Sequence, residues 1–134
     1  MYKYTNSKKE GKVIYPELSY EIIGTLFDVW NTVGHGHKES FYQKAIAKNF
    51  EDKNISFKEQ IGVKIKYRGK EIGIYFLDFL IENKIVLEIK KREYFSKQDI
   101  DQVYAYLKAT KLKLGIIAHF TKSGVKFRRV LNLI

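Results

Sequence analysis

The chain has no cysteine and a single proline among its 134 residues. Without cysteine it can form no disulfide, no thiolate metal site and no cysteine nucleophile, so any metal would be held by oxygen or imidazole ligands. No stretch approaches the ~20 apolar residues that a membrane span needs. Residues 1–6 also lack the apolar core of a signal peptide. We therefore expect a soluble, cytoplasmic protein with no membrane partner.

Negative charge is scarce in the second half of the chain. The net charge is +10; residues 84–134 hold 12 Lys and Arg against 4 Asp and Glu, whereas residues 1–83 hold 13 against 11. A surface this basic attracts polyanions, and the phosphate backbone of nucleic acid is the usual partner. The charge alone fits equally well a small basic domain that binds nothing anionic.

The length and composition are those of one globular domain. Hydrophobic residues make up 45% of the chain and charged residues 30%, which is enough apolar material for a core of its own. Residues 1–16 are polar and lysine-rich, with Gly11 and Pro16, and predict a basic flexible arm. Residues 17–134 are expected to form a single domain.

Hydrophobic periodicity predicts an α/β fold. Apolar residues recur at three- and four-residue steps in three segments, which predicts amphipathic helices. Elsewhere the pattern changes to alternation or to short apolar runs, which are typical of strands. We expect a short mixed sheet built round the 72–90 hairpin, which should be buried on both faces, and round the strand at 114–120. The predicted helices span residues 18–33, 39–51 and 97–110, and further strands are expected at 63–67 and 125–134.

Three ionisable residues lie in the most apolar part of this hairpin. Asp78 stands within residues 75–81, and Glu88 and Lys90 stand within residues 85–90. Two carboxylates ~4 Å apart would repel by about 4 kcal/mol at an effective dielectric of 20, so a cation between them would explain the arrangement. Mg²⁺ prefers such oxygen ligands.

The turn between the two strands decides whether these residues meet. Glu88 and Lys90 are two positions apart and leave the same face of their strand. An odd-numbered loop such as residues 82–84 would pair Asp78 with Glu88 and bring both acids to that face. A two-residue turn at Asn83 and Lys84 would pair Phe79 with Glu88 and separate the acids.

The pattern Asp78, then Glu88, one residue and Lys90 resembles the D-x(n)-E-x-K half of the PD-(D/E)XK nuclease superfamily. Leu77 departs from it, because a proline often stands at that position.

Two further segments extend the resemblance over about residues 18–130. Gly36, Glu39 and Tyr42 match the G-x-x-E-x-x-Y segment of the GxxExxY family within that superfamily, although His37 stands where relatives tend to be apolar. Gln102 and Tyr106, four apart and so on one helix face, are similar to the Q-x-x-x-Y helix of RecB-like nucleases.

The resemblance implies a restriction-endonuclease-like core and a role for each residue. Asp78, Glu88 and the Ile89 carbonyl would ligate Mg²⁺ or Mn²⁺, and Glu39 would join them directly or through water. Lys90 would orient and help deprotonate the attacking water, or stabilise the pentavalent phosphate. The last expected site residues, Gln102 and Tyr106, would flank the metal and hold the site or the substrate.

Each motif also has a purely structural interpretation. In that interpretation Glu88 and Lys90 form only a solvated ion pair, and Glu39 is a first-turn helix acid favoured by the dipole. Gln102 and Tyr106 are then ordinary helix surface and core. We do not interpret the loop histidines His35 and His37 as a zinc site, because too few further ligands are present.

The sequence therefore predicts a metal-dependent nuclease that hydrolyses phosphodiester bonds of nucleic acid, with DNA as the expected substrate. The alternative is a catalytically inactive nucleic-acid-binding or protein-interaction module on the same scaffold. An enzyme acting on another phosphate ester is a third possibility. A homodimer or a partner protein is compatible with so small a domain, and an exposed Tyr94 or Phe95 could stack on a base.

Overall fold

The computed structural model describes residues 3–5 and 14–133. Within these residues, three helices and six strands follow one another. None of the helices in these residues is long and apolar enough to cross a membrane. The elements are β1 (Lys3–Thr5), α1 (Pro16–Val33), α2 (Glu39–Asp52), β2 (Phe57–Tyr67), β3 (Lys70–Ile81), β4 (Ile85–Lys90), α3 (Lys97–Thr110), β5 (Leu114–Thr121) and β6 (Gly124–Leu131).

The three helices confirm the helical periodicity. Pro16 occupies the start of α1, where its missing N–H is not needed, and Gly34 follows the helix with a φ of 74°. The Ser96 side chain caps α3 by accepting a hydrogen bond from the Gln98 amide. These local signals explain why the predicted helix bounds lie within two residues of the observed ones.

The strands form one mixed sheet in the order β1-β6-β5-β4-β3-β2. Only β4 and β5 are parallel, and α3 makes the crossover between them. All other neighbours are antiparallel. The predicted α/β class, with a mixed sheet flanked by three helices, is thus confirmed.

Each face of the sheet carries its own hydrophobic layer. Helices α1 and α2 cover one face, where Leu26 and Ile46 pack against Phe79 and Leu87. Helix α3 covers the other face, where Val103 packs with Val86 and Ile117. We call these the α1/α2 face and the α3 face.

The expectation that the 72–90 hairpin is buried on both faces is wrong for half of β3. Residues 77–81, the inner end of the strand, are buried. Residues 70–76, the outer end, extend with β2 beyond α1 and α2, so that Ile72, Ile74 and Phe76 are exposed, although Tyr75 packs against α3. Apolar composition predicted burial there, but the helices are too short to cover that part of the hairpin.

Of the two turns considered from the sequence, the three-residue turn is present between β3 and β4. Phe79 pairs with Leu87 and Ile81 with Ile85, which leaves residues 82–84 as the loop. Continued by one step, this register sets Asp78 opposite Glu88.

The predicted N-terminal arm lies mostly outside the described residues. Within it, Lys3–Thr5 form β1 and pair with β6, because the outer side of β6 would otherwise leave its backbone groups unpaired. Pro16 belongs to α1. For these residues, paired strand and helix replace the predicted arm.

Candidate functional site

The regular pattern of β3 is broken at Asp78. Leu77 packs on the α3 face, whereas Phe79 packs on the α1/α2 face, although residues two apart in a strand normally share a face. The pairing with β2 skips Gln60, whose φ is 52°, opposite Asp78, and the pairing with β4 stops at Phe79. Asp78 therefore lies at a kink where the strands part.

The Asp78 and Glu88 carboxylates bridge this opening. The Asp78 amide donates to Glu88 Oε1 at 2.7 Å, and the Ile89 amide donates to Asp78 Oδ2 at 2.7 Å. Both side chains are buried. Side-chain oxygens thus take the place of the carbonyl acceptors of a regular ladder, and the two acids are held against each other.

Lys90 and Asp99 extend the charged cluster on the α3 face. The Lys90 ammonium lies 3.6 Å from Glu88 Oε2 and 3.8 Å from Asp99 Oδ1. Asp99, in the first turn of α3, is buried and also pairs with the Arg92 guanidinium. The Arg92 carbonyl in turn contacts Nδ1 of the buried His119 at 2.7 Å. Lys90 is therefore fixed between two carboxylates.

Helix α2 contributes from the opposite side of the opening. Glu39, its first residue, accepts a hydrogen bond from the Lys91 amide at 3.0 Å. One turn later, Gln43 donates to Asp78 Oδ1 at 2.7 Å, and Gln60 donates to Gln43 at 3.0 Å. The start of α2 is thus tied to both the end of β4 and the Asp78 carboxylate.

The G-x-x-E-x-x-Y segment has a clear structural basis. Gly36 has a φ of 92°, which favours glycine. Tyr42 is buried and its hydroxyl donates to the Gly34 carbonyl at 2.8 Å. His37 contacts the Val33 carbonyl through Nε2 at 2.7 Å. These contacts join the end of α1 to the start of α2 and so position Glu39.

The electrostatics of the pair favour protonation. Burial, together with the Asp78 carboxylate, raises the pKa of Glu88 to about 8. Burial also raises the pKa of Asp78, although the Ile89 amide opposes this. The pKa of Tyr75 is also raised, mainly because the hydroxyl is partly buried and in addition because of the Glu88 charge. When both acids are charged, the Lys90 ammonium offsets part of their repulsion, and a bound cation would offset more of it.

The donor set fits a magnesium ion that keeps much of its water. Mg²⁺ is commonly bound by one or two carboxylates together with water and substrate phosphates, and Asp78 and Glu88 are two adjacent carboxylates with raised pKa values. Among the residues that the structure describes, no three His, Asp or Glu side chains converge on a metal position. Glu39 therefore does not complete a cage of three acids.

Gln102 and Tyr106 lie on α3, apart from this cluster. The Gln102 carbonyl accepts from the Tyr75 hydroxyl at 3.0 Å, and its side chain lines a groove between α3 and the β2–β3 hairpin. Tyr106 is half-buried among the apolar residues of the α3 face, and burial raises its pKa. Their functional roles stay predictions.

Sequence inspection missed Gln43 and Asp99. Gln43 follows Glu39 by four residues and so shares its helix face, a signal that was available. Asp99 follows Ser96 by three residues and resembles a capping acid, yet it binds Lys90 and Arg92 instead. Buried His119 has a lowered pKa owing chiefly to that burial, and its ring packs on Phe95 at 4.1 Å.

Comparison with known proteins places this arrangement in context. The family model described as the PD-(D/E)XK nuclease superfamily matches residues 16–130. No curated protein matches. A solved structure, that of the protein named SSO0001, aligns at 16% identity with a TM-score of 0.45, covering 88% of this chain and 79% of its own. This structural likeness is too low to carry an argument.

Proposed function

Because this chain belongs to the PD-(D/E)XK nuclease superfamily, we propose that it is a metal-dependent nuclease that hydrolyses phosphodiester bonds, with DNA as its substrate. The observation that carries the proposal is the meeting of Asp78 and Glu88 across the parted strands, with the Lys90 ammonium 3.6 Å from Glu88. The two carboxylates could hold the metal ion, and the ammonium could stabilise negative charge on the phosphate, so one position combines both requirements of metal-dependent hydrolysis.

Each residue has a part that its position supports. Asp78, Glu88 and the Ile89 carbonyl oxygen would hold Mg²⁺ or Mn²⁺. When bound, the ion lowers the pKa of a coordinated water and neutralises charge on the phosphoryl oxygens. The Glu39 carboxylate is engaged by the Lys91 amide, which supports a contribution through water rather than direct ligation.

Lys90 would act on the reacting atoms. Its ammonium can orient the attacking water and donate to a non-bridging phosphate oxygen. As the water oxygen bonds to phosphorus it would lose a proton to solvent, and as the bond to the sugar oxygen breaks that oxygen would take up a proton from solvent. Asp99 is a positioning residue, since it holds Lys90 from the side opposite Glu88. Gln43 has the same role for Asp78.

A second candidate is the inactive binding module. The observation that favours it is that both carboxylates accept main-chain hydrogen bonds, so they stabilise the sheet even without a metal. A basic surface would then supply the binding.

The two candidates differ in one assay. Purified protein is incubated with plasmid, linear and single-stranded DNA and with RNA, in Mg²⁺, Mn²⁺ or EDTA. We expect cleavage that EDTA abolishes and that Glu88→Gln lowers by about a hundredfold or more. Glu88→Gln keeps an acceptor for the Asp78 amide, so it should remain folded.

Glu71→Gln is the matched control. Glu71 is an exposed acid on the same strand as Asp78, paired only loosely with Lys64 at 3.7 Å, and its removal should leave cleavage unchanged. Salt-sensitive binding without cleavage of any substrate would support the module and contradict the nuclease.

A further inference from the structure

A cavity of about 570 Å³ opens on the α3 face beside the candidate site. The loop after β4, the start of α3 and the strand β6 form its walls. It lies next to Arg92, which is part of the charged cluster described above. The side chains that determine its chemistry are Glu93, Tyr94, Phe95, Lys97, Lys126 and Arg128.

The register of the sheet aligns this cavity with the site. Lys90 pairs with His119, and His119 pairs with Lys126. Two residues earlier along β4, Glu88 pairs with Ile117 of β5, and Ile117 pairs with Arg128 of β6. Directly opposed residues share a face, and two strand spacings amount to about 10 Å. The cations of β6 therefore lie beside Glu88 and Lys90 on one surface.

The walls combine aromatic rings with cations. Tyr94 is 66% exposed, whereas Phe95 is held between the His119 ring and the Arg128 guanidinium, which lies 4.7 Å from its ring centre. Lys97 is paired with Asp101 at 2.8 Å. The exposed Lys126 and the exposed ring of Tyr94 are thus the groups most available to a ligand.

This chemistry selects a ligand with both a flat ring and a phosphate. An exposed aromatic ring stacks on any base, and a lysine ammonium pairs with backbone phosphate. The cavity is lined by one acid, Glu93, and by the three cations Lys97, Lys126 and Arg128. The Glu93 carboxylate is directed to the Lys122 amide at 3.4 Å. The Arg92 guanidinium lies 5.9 Å from the Tyr94 ring centre, yet most of that ring stays exposed. An acidic peptide would satisfy the cations but would make no use of this exposed aromatic surface.

The geometry points to this cavity as a binding subsite for one nucleotide of the substrate strand, adjacent to the nucleotide that is cut. Its base stacks on Tyr94 and its phosphate pairs with Lys126. The inference rests on the proposed function, because it places the strand that the candidate site would cleave.

Binding of a fluorescently labelled single-stranded oligonucleotide, as DNA and as RNA, tests the subsite. Anisotropy is measured in EDTA over a range of salt concentrations, with the full chain. Tyr94→Ala should weaken binding roughly tenfold, and Tyr94→Phe, which keeps the ring, should restore it. Lys126→Gln should reduce the slope of log Kd against log salt by about 0.7, the value for one phosphate of a single strand.

Lys108→Gln is the control, since it removes the same charge from an exposed position in the last turn of α3. It should change binding less than Lys126→Gln. If Tyr94→Ala and Lys126→Gln behave like Lys108→Gln, or if the wild-type chain binds neither oligonucleotide, the subsite is refuted.

Parallel cleavage assays separate the two proposals. If the chain cleaves in the presence of metal but Tyr94→Ala and Lys126→Gln do not change oligonucleotide binding, the nuclease proposal stands and the subsite is refuted. Binding that depends on both residues, without cleavage in any metal, would retain the cavity as a nucleotide-binding site but would remove the nuclease and, with it, the placement beside a cut nucleotide.

Discussion

The two ends of β3 are similar in composition and opposite in environment. Phe76, at the outer end, is 53% exposed, whereas Phe79, three residues later at the inner end, is fully buried. The difference lies in what covers the sheet: α1 and α2 pack over the inner end, whereas α3 also reaches the outer end at Tyr75. A run of apolar residues thus becomes core or surface according to the length of the helices beside it.

The same difference gives Asp78 its chemistry. At the exposed end an acid such as Glu71 remains hydrated and pairs loosely with Lys64. At the inner end the Asp78 and Glu88 carboxylates lose water, and burial raises the pKa of each. Burying charged carboxylates is unfavourable, and a bound cation would offset that cost, so the inner end is a candidate cation site.

The largest expected effect is a contrast between the two phenylalanines. Phe79→Ala should lower the free energy of unfolding by about 3–5 kcal/mol, because it leaves a cavity next to Phe50 and Phe57. Phe76→Ala should cost about 1 kcal/mol or less. Urea denaturation of both variants measures the difference, and equal losses would show that the outer end is also covered in solution.

A smaller effect concerns the pH dependence of stability without metal. Since the pKa of Glu88 is raised from 4.5 to about 8, the folded state favours the protonated acid. That contribution is present below the unfolded pKa near 4.5 and is lost as the pH rises through about 8. Glu88→Gln should remove this loss and make the metal-free chain more stable at about pH 9, by an amount on the order of 2 kcal/mol.

Thermal unfolding in EDTA at about pH 5 and about pH 9 is the measurement. Adding Mg²⁺ at the higher pH should restore stability to the wild-type chain but not to Glu88→Gln, because the ion binds the folded acids. The prediction fails if both proteins show the same pH dependence in EDTA.

The smallest expected effect concerns the amide that holds Asp78. Gln43→Ala removes the hydrogen bond to Asp78 Oδ1 and should lower the free energy of unfolding by about 1 kcal/mol. Gln98→Ala, at an exposed glutamine of α3, should change it by less than about 0.5 kcal/mol. If Gln43→Ala and Gln98→Ala lower the free energy of unfolding equally in urea denaturation, the Gln43 hydrogen bond does not stabilise the inner end of β3.

Much of the fold followed from local patterns. Helix periodicity located the helices, because this signal acts within a few residues along the chain. The three-residue turn at 82–84 was one of two registers considered, and it is the one that the strands adopt. Period-two alternation then placed Glu88 and Lys90 on one face, where the structure has them near each other.

The remainder of the candidate site depends on contacts between distant segments. Gln43 meets Asp78 from 35 positions away, and Glu39 meets Lys91 from 52 positions away. The kink at Asp78 needs the left-handed backbone of Gln60 on the neighbouring strand. No local propensity encodes such pairs; the one sequence signal for these contacts was the helix face that Gln43 shares with Glu39.

The amino-acid sequence alone determined the helices and the presence of two acids and a lysine in an apolar environment, because these depend on short-range periodicity. It limited the β3–β4 turn to two registers, and the tertiary structure decided between them. Only the tertiary structure decided which half of β3 is covered and how the carboxylates are held. It also placed the cations of β6 beside them, since strand order and helix packing bring together residues that are far apart in the chain.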